Sequence, residues 1–196
     1  FKIISIANTK YLYKNEQPKI PRKEIQKLRE GLLIGSGCIH GEIFEATITK
    51  DDEELVNMMN FYDYIEVQPM SACAHLIGEN RTFQSSIDLQ HHLEKIIRVA
   101  TDAGIPVCAT SDAHHLTKED KIYREIIVNQ KFNGRLHPLN KKGMKVPDMH
   151  LLTTEEMLEQ FSFLDATKQK EIVIDNPNKI ADMVEEIEVI IETGGI

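Results

Sequence analysis

Leu89, Leu93, Ile96, Ile97 and Ala100 recur at three- and four-residue spacing, which predicts an amphipathic helix opening near Ser86 and closed by Gly104. An unbroken apolar run over residues 105–109 follows and predicts a short buried strand. Residues 63–69 alternate Tyr64, Glu66 and Gln68 with Ile65 and Val67, a strand pattern stopped by Pro69. Leu32-Leu33-Ile34-Gly35, apolar between glycines, predicts another strand. Helical stretches at 42–49 and 52–61 separate the first two strands, the second opened by the acids of residues 51–54. The order strand, helix, strand, helix, strand over residues 32–110 implies parallel strands with right-handed crossovers, in an α/β sheet or part of a barrel.

The flanks read differently. Residues 1–13 predict a helix that ends at the break around residues 14–18, and Pro21 opens a second helix over 23–30, stopped by Gly31. Residues 70–82 have no period and are expected to form a surface loop. Beyond the last strand, Thr117-Lys118-Glu119-Asp120 has the form of a capping signal before a helix at 122–128. Residues 131–150 are loop-like, with Gly134, Pro138, Gly143 and Pro147. Thr153-Thr154-Glu155-Glu156 predicts a capping box for a helix through Gln160. Helices are expected at 165–174 and 177–187, the last with Asn176 as cap and Pro177 in its first turn. The whole predicts an α/β part with a helical tail packed beside it.

Composition narrows the function classes. With 41% hydrophobic and 28% charged residues in 196, the chain has the makings of one sizeable core. No apolar stretch approaches the roughly 18 residues that span a bilayer. Twenty-three basic against 31 acidic residues give a net charge of −8, so weak direct nucleic-acid binding is expected. Cys38, Cys73 and Cys108 are odd in number and far apart, which favours a reducing, cytoplasmic compartment over a disulfide framework. The chain opens on Phe1 and is expected to be a piece of a longer protein.

The candidate chemistry lies after the strands. Asp112-Ala113-His114 follows the strand at 105–109, and residues two apart in extended chain face the same way, so a carboxylate and an imidazole can aim at one zinc, manganese or iron ion. Cys38 sits in a loop with three glycines among residues 35–41, where it is either a small packed residue or a thiolate facing a ligand. Both loops leave the carboxyl ends of predicted parallel strands, the edge at which such folds build sites. Glu66 either lines the same pocket or lies on a solvated strand face. His40, His91 and His92 read as surface residues, Cys73 and Cys108 as packed thiols. His75, His137 and His150 have no metal-like spacing. The sequence contains no His-x-His, HExxH, P-loop or GxGxxG pattern.

The chain resembles a known family. Gly31-Leu32-Leu33-Ile34-Gly35-Ser36-Gly37-Cys38 with Gly41-Glu42-Ile43-Phe44-Glu45 looks like a segment of PolC-type bacterial DNA polymerase III alpha subunits. So do Phe61-Tyr62-Asp63-Tyr64-Ile65-Glu66-Val67-Gln68-Pro69, Ala109-Thr110-Ser111-Asp112-Ala113-His114, Glu119-Asp120-Lys121-Ile122-Tyr123-Arg124 and Thr153-Thr154-Glu155-Glu156-Met157-Leu158. The similarity covers essentially the whole chain in order. It implies the part of a polymerase-and-histidinol-phosphatase (PHP) domain that follows the inserted exonuclease, in a distorted (β/α)7 barrel with parallel strands. Residues 1–130 would then be the later part of that barrel, and 131–196 a loop and helical extension leading toward the polymerase core. The resemblance implies Cys38, Asp112 and His114 as ligands of a divalent metal, zinc or manganese, with further ligands upstream. Ile39-His40 depart from the family pattern, in which an acid and a lysine are usual, and residues 70–81 match poorly. The parent would be a magnesium-dependent DNA polymerase carrying a 3'-5' exonuclease, working in the cytoplasm on DNA with replisome subunits and the rest of its own chain. Two other readings stay open: a free-standing PHP phosphoesterase, against which the missing His-x-His argues, and a metal-free structural or interaction module.

Overall fold

Residues 1–34 and residues 35–196 form separate units in the computed structural model, which describes residues 1–13, 17–132, 134–141 and 145–186. In the first unit α1 (Lys2–Lys10) ends where the Tyr11 N–H closes on Ala7 O, three residues short of expectation. The chain turns instead into an antiparallel pair, β1 (Leu12–Tyr13) and β2 (Gln17–Pro18), with Leu12 opposite Pro18. Residues 14–16 of the expected break lie outside the described residues. Pro21 opens α2 (Arg22–Gln26), which stops before Gly31 turns the backbone at φ +73°.

The second unit begins at Gly35. The expected strand at 32–35 is reduced to a single parallel bridge, Gly35 to Tyr64. A Cβ on Gly35 would fall within 2.7 Å of the Tyr64 ring, so glycine permits that approach. α3 (Glu42–Ala46) and α4 (Asp52–Met59) follow, and the Asp51 carboxylate caps α4 by accepting from Glu54 N at 2.9 Å. β3 (Ile65–Val67) then runs into Pro69, which caps α5 (Met70–Cys73), continued as a 3₁₀ turn at Ala74–Leu76. The expected surface loop is thus a helical turn with Ala72 and Cys73 buried; it shows no period because four residues are too few to display one.

α6 (Ser86–Asp102) is the long amphipathic helix. Ser85 and Asp88 form a reciprocal capping box, and Leu89, Leu93, Ile96, Ile97, Val99 and Ala100 are buried. β4 (Val107–Ala109) pairs parallel with β3, Ile65 opposite Val107 and Val67 opposite Ala109, with α6 as the crossover. His92, expected at the surface, is 7% exposed, its ring 4.5 Å from Phe44 and 5.0 Å from Phe83. Those aromatics arrive from α3 and from the segment before α6, widening the core beyond the stripe visible on α6 alone.

α7 (Lys121–Asn129) starts one turn later than its capping signal, because the Asp120 carboxylate accepts from Thr117 N in the turn before the helix. Within the expected loop at 131–150, the chain makes a small hairpin, β5 (Lys131–Phe132) with β6 (Arg135–Leu136), and a helical turn, α8 (Pro138–Lys141). α9 (Thr154–Gln160) carries the Thr153/Glu156 capping box in full. α10 (Ala166–Lys170), a π-helical turn at Glu171–Asp175 and α11 (Asn176–Asp182) run on without a break. Two separate helices with Asn176 as cap were expected. Pro177 has no N–H to close an α-helical bond and its ring crowds the preceding turn, so the turn widens instead of ending. Asn176 is therefore inside the helix, 3% exposed, and its Nδ2 donates to Val107 O at 2.9 Å. Residue 187 of the expected last helix lies outside the described residues.

The tail belongs to the core. Phe161 and Ile172 are fully buried with Leu55, Met59, Ile65, Leu89, Leu93, Ile96 and Val107. Burying each side chain of this kind contributes about 1.5–3 kcal/mol. No described helix is long and apolar enough to cross a membrane.

Candidate functional site

Two loops at the same end of the small parallel sheet build one cavity. The first follows Gly35. Ser36 N donates to Tyr64 O at 3.2 Å and Ser36 Oγ accepts from Glu66 N at 2.9 Å, tying the loop to β3. Gly41 N then donates to Cys38 O at 2.6 Å, folding the loop into a tight turn. A side chain on Gly41 would collide with the carbonyls of Ser36 and Cys38, so only glycine permits the turn that presents the half-buried Cys38 thiol.

The second loop leaves β4. Thr110 N donates to Val67 O, and Thr110 Oγ1 donates to Glu66 Oε2 at 3.1 Å while accepting from Gln68 Nε2 at 2.9 Å. Glu66 is held in that network beside the sheet rather than on an open strand face. Asp112 adopts φ +49°, a left-handed conformation that aspartate tolerates better than most residues. The left-handed Asp112 departs from the extended geometry expected for Asp112-Ala113-His114, yet both side chains still line the same cavity. His114 N donates to Met149 O at 2.8 Å, and Leu151 N donates to His115 O, so the segment around Met149 clamps the loop from the far side.

The cavity measures about 350 Å³ and is lined by Cys38, Asp112 and His114 together with His40, His75 and Arg124. His114 Nδ1 lies 2.8 Å from Asp112 O, which it engages as donor, leaving Nε2 as the lone-pair nitrogen. The Asp112 carboxylate is 3.8 Å from the same Nδ1. Cys73 lies behind this group: burial pushes its thiol up to about 12, and Asp112 and Cys38 push in the same direction. It is a packed thiol, as is the buried Cys108, raised to about 11 by burial and then Glu66. Among the described residues Arg124 Nε is buried without a hydrogen-bond partner, and burial lowers this guanidinium's affinity for its proton while Asp112 opposes the shift. His137, another lining residue, is lowered by burial, then by Arg124 and His114.

The donor types fit a borderline metal. A thiolate, a carboxylate and an imidazole form a set suited to zinc and poorly suited to magnesium or calcium. Among the described residues no three His, Cys, Asp or Glu side chains stand close enough together to hold an ion, so Cys38, Asp112 and His114 share one cavity without closing on a common point. His40, His75, Arg124 and His137 were not assigned to the site by sequence. They come from separate elements, and nothing in their spacing links them.

The chain matches no family model. It is 46% identical over 187 residues to the DNA polymerase III PolC-type protein of Halalkalibacterium halodurans, 95% of this chain and 13% of that one. It is 42% identical over 187 residues to the DNA polymerase III PolC-type protein of Bacillus subtilis, 95% of this chain and 12% of that one. The chain is similar to one segment of PolC-type DNA polymerase III. A third such protein, from Lacticaseibacillus paracasei, is 42% identical over 186 residues. The chain spans 12–13% of the length of these PolC-type relatives, and the similarity runs through both loops of the cavity.

Proposed function

We propose that the chain is a segment of a PolC-type replicative DNA polymerase, the part of its PHP domain that follows the exonuclease insertion. The observation that carries the reading is 46% identity over 95% of the chain to a DNA polymerase III PolC-type protein. Residues 1–130 are the later part of a distorted (β/α)7 barrel on this reading, and 131–196 lead toward the polymerase core. The parallel β3–β4 pair with its α6 crossover is one repeat of the kind such a barrel is made of.

In this reading Cys38, Asp112 and His114 would close on a divalent ion, zinc or manganese, with the remaining donors upstream in the same polypeptide. When bound, the ion would cross-link the two loops and act as a Lewis acid toward a phosphate oxygen. The chain's own part is to orient the donors. Gly41 and Ser36 fix the Cys38 turn, while the Asp112 carbonyl holds the His114 ring and Met149 O holds the His114 main chain. Nucleotidyl transfer itself, its magnesium ions, the cytoplasmic replisome partners and the main DNA-binding surface belong to the rest of the parent chain. The charge of −8 leaves this segment a weak binder of DNA.

Primer extension by the purified parent chain tests the reading. The intact chain is expected to extend a primed template with deoxynucleotides and magnesium, and residues 1–196 alone to add none. A parent chain that extends no primer would sink the proposal, as would extension by the segment itself.

A further inference from the structure

Arg124, on α7, stands where two cavities meet. The cavity of the candidate site and a neighbouring groove of about 310 Å³ share His114, Arg124 and His137 as lining residues. Among the described residues Arg124 is the one lysine or arginine that lines either of them. Its half-buried guanidinium has an Nε with no hydrogen-bond partner among those residues. The two acids on the cavity walls are engaged elsewhere. Asp112 stands 3.8 Å from His114 Nδ1, and the Asp120 carboxylate accepts from Thr117 N at 3.0 Å. A cation shielded from water and left without a counter-charge is costly, so this position favours an anion. His137 adds a second donor. Leu139 N donates to His137 Nδ1 at 3.3 Å, which leaves the hydrogen of the neutral ring on Nε2. Arg124 lies close enough to oppose the uptake of a further proton by that ring. His114 has no such N–H to spare, because its Nδ1 is engaged with Asp112 O.

We propose that Arg124 and His137 form an oxyanion site at this junction, and that its ligand is a phosphate group, free or at the end of a monoester. The planar fork of a guanidinium and one imidazole N–H match the three or more oxygens that a phosphate presents, where a carboxylate presents two. Space on both sides of Arg124 leaves room for the organic part of an ester. The site uses neither Cys38 nor Asp112, so it stands whether or not those residues hold a metal. It goes beyond the reading of the chain as a piece of a polymerase and does not require it.

Labelling of arginines in the intact parent chain with methylglyoxal tests this, with a metal chelator present throughout and the label at each position read by peptide mass spectrometry. Inorganic phosphate is expected to slow labelling of Arg124 several-fold relative to chloride at the same ionic strength. Arg98, paired at the surface with Asp52 at 2.8 Å, should be unaffected. Phenyl phosphate is the second probe. Slowing by both probes assigns the site to monoesters, and slowing by inorganic phosphate alone assigns it to the free anion. His137→Ala should leave the labelling rate of Arg124 in chloride unchanged and lose most of the protection by phosphate. No slowing at Arg124, equal slowing at Arg124 and Arg98, or full protection in His137→Ala would each overturn the proposal. So would an Arg124 that takes no label even in chloride, because a site open to phosphate admits this small reagent. Primer extension by untreated samples of the same preparation reports separately on the polymerase reading. A chain that protects Arg124 as expected but extends no primer keeps the oxyanion site and loses that reading.

Discussion

Asn176 ties the helical tail to the strand that leads into the site, and removing its amide tests how the tail supports the sheet. Pro106 O accepts from Ile65 N and Thr110 N donates to Val67 O, so the main-chain groups of Val107, between them, point away from β3. Val107 O is met there by Asn176 Nδ2 at 2.9 Å, and Asn176 is 3% exposed. Asn176→Ala removes the donor and strands a buried carbonyl, which costs roughly 1–3 kcal/mol. The space left by the amide adds to this, for about 2–3 kcal/mol in all. With a urea dependence of about 2 kcal/mol per molar for a domain of this size, the unfolding midpoint should fall by roughly 1 M. Asn176→Leu keeps most of the volume and still leaves Val107 O unmet, so it should lose at least about 1 kcal/mol as well. Asn178→Ala, exposed on the same helix, should stay within about 0.5 kcal/mol of the parent. Equilibrium urea unfolding followed by circular dichroism reads all three. If Asn176→Leu is as stable as the parent sequence, the hydrogen bond is not what joins tail to sheet.

The remaining predictions bear on core, loop and pH. Phe161→Ala, at a fully buried position among core residues, should cost about 3–5 kcal/mol in the same unfolding experiment; a loss below 1 kcal/mol would mean the tail does not share the core. Gly41→Ala places a methyl group on the Ser36 and Cys38 carbonyls and should cost about 1–3 kcal/mol. An unchanged melting temperature would show that the Cys38 loop has room to swing aside. Burial, then Lys95, pushes His92 down to about 4 from an ordinary value of 6.5. Its folded value is the lower one, so the unfolded chain takes up the proton first. Stability is then full above about pH 6.5, falls as pH drops toward 4 and levels off below. His92→Phe should remove that part of the pH dependence when urea midpoints are compared between pH 7 and pH 4.5, and identical slopes for the two proteins would contradict it.

Much of the fold's frame was legible because it rests on local, repeated signals. The stripe on α6 and the Thr153/Glu156 box state their helices outright, and the run before Asp112 states its strand. The turn at Met70–Cys73 was not legible, since a single turn buried on several sides shows neither helical nor strand period. His92 looked like a flank residue because Phe44 and Phe83, which cover it, are distant in sequence. Asn176 looked like a cap because Asn-Pro commonly opens a helix, and only the π-helical turn before it shows otherwise. For the site, the strand-edge argument brought Cys38, Asp112 and His114 to one cavity. The left-handed backbone at Asp112 breaks the extended geometry beside a loop held by Met149 O, a partner distant in sequence, and has no local signal. Arg124, His75 and His137 reach the cavity through tertiary packing alone.

On the proposed reading Cys38 is a thiolate ligand alongside Asp112 and His114, and cobalt substitution in the intact parent chain tests that role. Cobalt takes zinc's ligands and reports a bound thiolate by a charge-transfer band in the near ultraviolet. The band is expected in the loaded chain, lost in Cys38→Ser, and retained in Cys108→Ser, whose thiol is buried on β4. A band that survives unchanged in Cys38→Ser would contradict the claim.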